Sequence, residues 1–248
     1  MNLLPPLTPK LRSGLPFVYL NIATTVDGKL APANRDFTPF SSNHDQELLL
    51  ELRTRCDAVM AGARTVDSVP VNLGPGGKKY REMRIRNGLT ENNLRIVVSG
   101  SGTLNPRAEI FRHKFSPIIV LVAQRAGITR ITRLKELGAI VKVCGEKEID
   151  FSYALRWLRK DWNVTRLLCE GGGEINSALF RHDLVNEVYL TLCPTVFGGR
   201  SAPTMADGIG ATKLADATRV KLKTQQQIGK ELFLVYSVFN RQDTEYKK

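Results

Sequence analysis

Apolar positions along the chain fall into short runs separated by segments of helical period. Phe17–Thr25, Cys56–Gly62, Leu94–Ser99, Ile118–Ala123, Ala139–Val143, Arg166–Cys169 and Glu187–Cys193 read as strands. Their near-continuous apolar character is that of strands covered on both faces of a largely parallel sheet. Between them, helices are expected from Asn43, as cap, to about Arg55, over about Ile128–Leu137, over Ser152–Trp162 and over Glu174–His182, with a short helical turn at Arg64–Ser68. The helical stripes are Leu48, Leu49 and Leu52 in the first and Leu155 and Leu158 in the third. Val220–Thr224 and Glu231–Phe239 read as a closing antiparallel pair. Residues 70–93, with Pro, Gly and a basic stretch, read as a long loop, and the proline-rich residues 1–16 as an extended arm. Strands alternating with helices predict an α/β fold, with one domain over residues 17–248.

Several strands run into small or polar residues. The sharpest case is Leu167-Leu168-Cys169-Glu170-Gly171-Gly172-Gly173-Glu174-Ile175, a strand, three glycines and a helix start. Glycines let a ligand approach the backbone, and free N–H groups at a helix start attract phosphate. The bland alternative is a packing turn. Gly62-Ala63-Arg64-Thr65-Val66-Asp67 ends another strand, with Arg64 as a phosphate partner and Thr65 as a hydroxyl donor, or simply a capped helix start. Asp27-Gly28 is an ordinary turn pair, and Ser99-Gly100 closes a further strand. Four such ends could line one crevice long enough for a dinucleotide, although no GxGxxG fingerprint is present.

Composition sharpens this picture at one point. The 248 residues hold 36 Lys and Arg against 24 Asp and Glu, a net charge of +12. That charge suits phosphate-bearing ligands. Aromatics are only 7% and no nucleic-acid motif accompanies the charge, so a phosphorylated small molecule is favoured over nucleic acid. No apolar run spans a bilayer and residues 1–16 hold no apolar leader, so a cytoplasmic protein is expected. Cys56, Cys144, Cys169 and Cys193 lie in apolar runs outside ligand spacing of one another, which predicts reduced, buried thiols and no metal site.

In combination and in order, these segments resemble the pyrimidine reductase family of riboflavin biosynthesis, which has a dihydrofolate-reductase-like fold. The matching residues are Thr25-Val26-Asp27-Gly28-Lys29-Leu30-Ala31, then Ser41-Ser42, Arg53 and Asp57-Ala58 through Gly62 to Thr65. They continue with Glu170-Gly171-Gly172, Asn186-Glu187, Pro194 and Gly198-Gly199. The resemblance implies a central mixed, mainly parallel sheet with helices on both faces, antiparallel C-terminal strands, and a homodimer. It implies NADPH as cofactor and reduction of the ribosylamino side chain of a pyrimidine 5′-phosphate to ribitylamino.

Position by position, the resemblance sets Ala23 against the nicotinamide, Thr65 on the cofactor phosphates, Ser99 and Gly100 by the adenosine, and Gly171, Gly172, Gly173, Glu174 and Ile175 over the pyrophosphate. Arg64 is the expected partner of the adenosine 2′-phosphate. Thr38, Arg53 and Glu170 fall at substrate positions, and Glu170 is the candidate to protonate or stabilise an iminium. There is one departure. Where the family continues Ala-Asp-Asp-Pro after the threonine, this chain reads Val66-Asp67-Ser68-Val69, and Asp67 is the candidate to stand in for the missing carboxylate. That departure keeps two alternatives open: a different substrate for the same fold and cofactor, such as a pteridine, or a nucleotide-binding protein without turnover.

Overall fold

The computed structural model describes residues 4, 12, 14–36 and 39–239. The extended arm expected at residues 1–16 lies mostly outside the described residues. Among the described residues the chain forms two compact units, one of Val18–Leu49 with residues 170–239, the other of Leu50–Cys169 with Phe17 and the described residues just before it.

In the first unit, β1 (Phe17–Thr25) pairs in parallel with β7 (Glu187–Cys193), which pairs antiparallel with β9 (Glu231–Val238), itself paired antiparallel with β8 (Val220–Ile228). The register sets Ala23 opposite Thr191 and Thr25 opposite Cys193. In turn Thr191 faces Phe233. Side chains alternate along a strand, so Asn21, Ala23 and Thr25 share one face with Tyr189, Thr191 and Cys193. β8 runs longer than the expected Val220–Thr224. Its second half, Gln225-Gln226-Gln227, is polar because this edge strand is exposed, and an exposed edge carries no apolar pattern to read.

The second unit is an all-parallel ladder in the order β5-β4-β3-β2-β6. Its strands are β2 (Ala58–Gly62), β3 (Leu94–Val98), β4 (Ile118–Val122), β5 (Ile140–Val143) and β6 (Arg166–Cys169). All five residues of β4 are buried, as a central parallel strand requires. Asp57, just before β2, accepts from the N–H and hydroxyl of Thr165 and from the N–H of Arg166, which joins the starts of β2 and β6.

The helices are α1 (Asn43–Arg53), α2 (Ala63–Ser68), α3 (Lys78–Arg86), α4 (Glu109–Arg112), α5 (Gly127–Glu136), α6 (Phe151–Asp161) and α7 (Gly173–Arg181). α6 follows the usual logic: Asp150 caps it by accepting from the Tyr153 N–H, and Phe151, Ala154, Leu155 and Leu158 form its buried stripe. The expected cap of α1 moves by one residue. Asn43 is already helical, and the Ser42 hydroxyl accepts from the His44 N–H at 3.2 Å.

α3 corrects the long loop expected over residues 70–93. Its inward residue is an arginine, so no apolar stripe marks it. Arg84 is fully buried and donates to the carbonyls of Thr90, Arg53 and Cys56. Gly88, at φ 73°, closes the helix, with its N–H on Ile85 and the Leu89 N–H on Arg84. Arg95 is a second such residue. It donates to Ser116 Oγ and to the carbonyls of Ile110, His113 and Ser116, and burial lowers its pKa to about 10. It therefore stays charged at neutral pH.

Candidate functional site

In the second unit the register brings the carboxyl ends of β2, β3 and β4 to one level: Gly62 pairs with Val98, and Val98 with Leu121. Ligands in open parallel sheets collect at such ends. Arg64 is exposed and Thr65 half-buried in the first turn of α2, which starts at Gly62 with no side-chain cap. Asp67 accepts from the Asn105 N–H at 2.9 Å and so ties α2 to the segment after β3. Burial raises its pKa, and that hydrogen bond works in the other direction. Ser99 uses its hydroxyl internally, donating to the Thr103 carbonyl at 2.8 Å, which shapes the turn containing Gly100.

Arg53 is buried, at 7% exposure, and its Nη1 donates to the Gly74 carbonyl at 2.7 Å. The helical period sets it at the edge of the α1 stripe, but the loop after α2 folds over it. That loop is pinned by Asn93 Nδ2 on the Leu73 carbonyl and by Asn72 Oδ1 on the Gly74 N–H.

In the first unit, the three glycines after Glu170 divide their work. Gly171 and Gly172 sit at φ 79° and 105°, where a side chain strains the backbone. A Cβ on Gly172 would have nothing within 4 Å, so the backbone there is open to a ligand. Gly173 is a packing residue, because a Cβ on it would lie 2.5 Å from both the Thr204 carbonyl and Asp207 Oδ2. Ile175 is buried, Glu174 is exposed in the first turn of α7, and Glu170 is half-buried just ahead of the glycines. Thr204 bridges to Lys29, and the Asp207 N–H donates to the Gly173 carbonyl. One loop thus connects the Asp27-Gly28-Lys29 turn with the glycine loop. Asp27 is a brace: it accepts from the Thr25 hydroxyl at 2.6 Å and from the N–H groups of Phe197 and Gly198. These hydrogen bonds, the Thr25 hydroxyl foremost, hold its pKa below the usual value.

Motif reading did not find a polar cluster on the Ala23 face. Asp45 of α1 is buried, and Thr191 beside Ala23 is fully buried. Asn21 Oδ1 and Asp45 Oδ1 are buried without a hydrogen-bond partner among the described residues. Burial raises the pKa of Asp45. The hydroxyls of Thr191 and Ser41 oppose that, and the charge of Glu231 adds to it. Glu231 is itself buried and accepts from the Ser42 N–H and hydroxyl. The Cys193 thiol points at the same carboxylate and is pushed up to about 12 by burial first and by Glu231 second. Orphaned acceptors are costly unless a ligand supplies donors, so this face fits a group bearing N–H. The only hint in the sequence is that polar residues interrupt apolar strands. Their partners are too distant along the chain for a motif to show. Thr38 lies outside the described residues. The four cysteines are free and buried, as expected. No group able to hold a metal occurs among the described residues.

These strand orders and strand-end loops are those of a dihydrofolate-reductase-like reductase domain. The family model of the RibD C-terminal domain matches residues 16–234, and the chain belongs to that family. It is 31% identical over 223 residues to the 2,5-diamino-6-ribosylamino-4(3H)-pyrimidinone 5′-phosphate reductase of Methanothermobacter thermautotrophicus, across 90% of this chain and 98% of that one. Among solved structures it resembles Acinetobacter baumannii RibD, with TM-score 0.75 and 23% identity over 92% of this chain and 59% of that longer one. It also resembles a pyrimidine reductase-like protein of Corynebacterium diphtheriae, with TM-score 0.75 and 21% identity over 91% and 92% of the two chains. The chain is a reductase of the riboflavin-biosynthesis family, and the family implies a nicotinamide cofactor.

Proposed function

We propose that this chain reduces the ribosylamino side chain of 2,5-diamino-6-ribosylaminopyrimidinone 5′-phosphate to ribitylamino, with NADPH as reductant. The observation that carries this reading is a likeness running nearly end to end with a relative named for that substrate. It favours the diamino pyrimidine over its deaminated form. When bound, the nicotinamide group supplies the hydride; the protein supplies position and charge. Gly172, open at the start of α7, lets the cofactor phosphates reach free N–H groups. Thr65, in the first turn of α2, is the second unit's candidate for a phosphate oxygen.

Ala23 carries only a methyl group, so its face would leave room for the nicotinamide. Asn21 and Asp45 would accept N–H groups of the substrate's pyrimidine there, with Thr191 beside Asp45. Glu170 stands beside the ribosylamine nitrogen, whose open-chain imine is the acceptor, as the candidate to stabilise or protonate it. Arg53 steadies the loop through Gly74 and meets the substrate phosphate. The protein acts as a homodimer in the cytoplasm, on a small phosphorylated substrate rather than on nucleic acid. No helix among the described residues is long and apolar enough to cross a membrane.

A second reading has its own observation. Asp67, the stand-in for the missing carboxylate, spends one oxygen on the Asn105 N–H. A pocket altered there would accept a different carbonyl or imine substrate. Loss of reduced-nicotinamide absorbance, measured with the diamino and the deaminated pyrimidine phosphates and with a pteridine, separates these readings. Fastest turnover of the diamino compound supports the first.

A further inference from the structure

Three arginines of the second unit converge on the turn that follows β3. Arg125 stands in the 3₁₀ turn Gln124–Ala126 after β4, and its Nη2 lies 3.4 Å from where a Cβ on Gly100 would be. Arg130, in the first turn of α5, donates from Nη1 to the Ser101 carbonyl at 3.1 Å. Arg133 lies three residues on, so Arg130 and Arg133 share a face of α5. Gly102, at φ 69°, would hold a Cβ only 2.9 Å from Ala126 Cβ and 3.3 Å from Arg130 Cβ. The turn is therefore packed tightly onto the start of α5, and no larger residue fits.

Between that turn and α5 lies a recess of about 80 Å³ whose lining includes Gly102, Thr103, Arg130, Arg133, Leu134 and Leu137, with Arg125 outside it. The recess is large enough to take one phosphate group. All three arginines are exposed, and none meets a carboxylate among the described residues. Like charges at this helical spacing repel, and Arg130 in the first turn of α5 also stands near the positive end of its dipole, whereas Arg133 lies in the last turn. A dianion in the recess would offset both costs.

We propose that Arg130 and Arg133 form a cradle for a phosphate monoester, with Arg125 beside it at Gly100, and that its occupant is the adenosine 2′-phosphate of NADPH. The proposal rests on the nicotinamide-cofactor reading above, which sets the adenosine beside Ser99 and Gly100, in the turn that leads to Gly102 and Thr103 of this recess. It moves recognition of the 2′-phosphate from Arg64 to α5. Two guanidiniums present forks that match phosphate geometry, which a lysine cannot reproduce.

The test is calorimetric binding of NADPH and of NADH, at one ionic strength, to the wild type, to the Arg130→Ala/Arg133→Ala double variant and to Arg64→Ala. The double variant should bind NADPH about tenfold or more weakly and leave NADH affinity unchanged, because NADH lacks the group the cradle holds. Arg64→Ala should keep the wild-type preference, and 2′-AMP should compete for the site better than 5′-AMP. A double variant with an unchanged NADPH-to-NADH ratio overturns the proposal. So does a raised KM for the pyrimidine phosphate with that ratio unchanged, which would give the cradle to the substrate. A wild type that binds neither cofactor defeats the underlying reading, and the cradle assignment with it.

Discussion

Asp27 is exposed and accepts hydrogen bonds from one hydroxyl and two backbone N–H groups; Asp45 is buried beside Glu231. Their pKa values move in opposite directions, so their effects on stability carry opposite signs. A lowered carboxylate pKa gives stability that is present above the unfolded value and lost as pH falls. Asp27→Asn should therefore lower Tm at neutral pH, with the gap closing in acid. A raised carboxylate pKa gives stability that is present at low pH and lost as pH rises through the folded value. Asp45→Asn should raise Tm at neutral pH, and its advantage should vanish below the ordinary aspartate range. Thermal unfolding followed across pH checks both. Arg53 offers a kinetic test at the same scale. Arg53→Lys should raise KM for the substrate while Kd for NADPH stays put, because lysine keeps the charge but loses the fork. An unchanged KM would leave Arg53 as a support for Gly74 alone.

Among the elements, the glycine loop separates two roles that sequence alone merges. Three consecutive glycines between strand and helix are legible as a ligand-approach site, but which glycine serves packing depends on Thr204 and Asp207, far along the chain. Gly173→Ala should cost about 1–3 kcal/mol through overlap with the Thr204 carbonyl. Gly172→Ala should cost a similar amount, about 1–3 kcal/mol, through backbone strain at φ 105°. Only Gly172→Ala should also weaken NADPH binding directly when the folded fraction is matched. Denaturant unfolding and cofactor titration on both variants distinguish the two. The same limit explains α3 and β8. Buried strands such as β1 and β4 announce themselves as apolar runs. A helix that buries Arg84, and an edge strand of glutamines, have no apolar period to show.

Across the whole molecule, the motifs were legible because they lie at strand ends, where small and polar residues break apolar runs. Asp27-Gly28 and Gly198-Gly199 are distant in sequence, and the structure joins them through Asp27 and the Gly198 N–H. The buried set of Asn21, Asp45, Thr191 and Glu231 was not legible, since it exists only once α1, β1, β7 and β9 are assembled. That set gives the reductase domain a polar face for a nitrogen-rich ring. The measurement that tests this account most directly is turnover of purified protein with NADPH and 2,5-diamino-6-ribosylaminopyrimidinone 5′-phosphate, followed by absorbance and by mass of the product. The account predicts one NADPH consumed for each product two hydrogens heavier, formed faster than from the deaminated pyrimidine. NADPH bound by the protein but not consumed with either pyrimidine would contradict it.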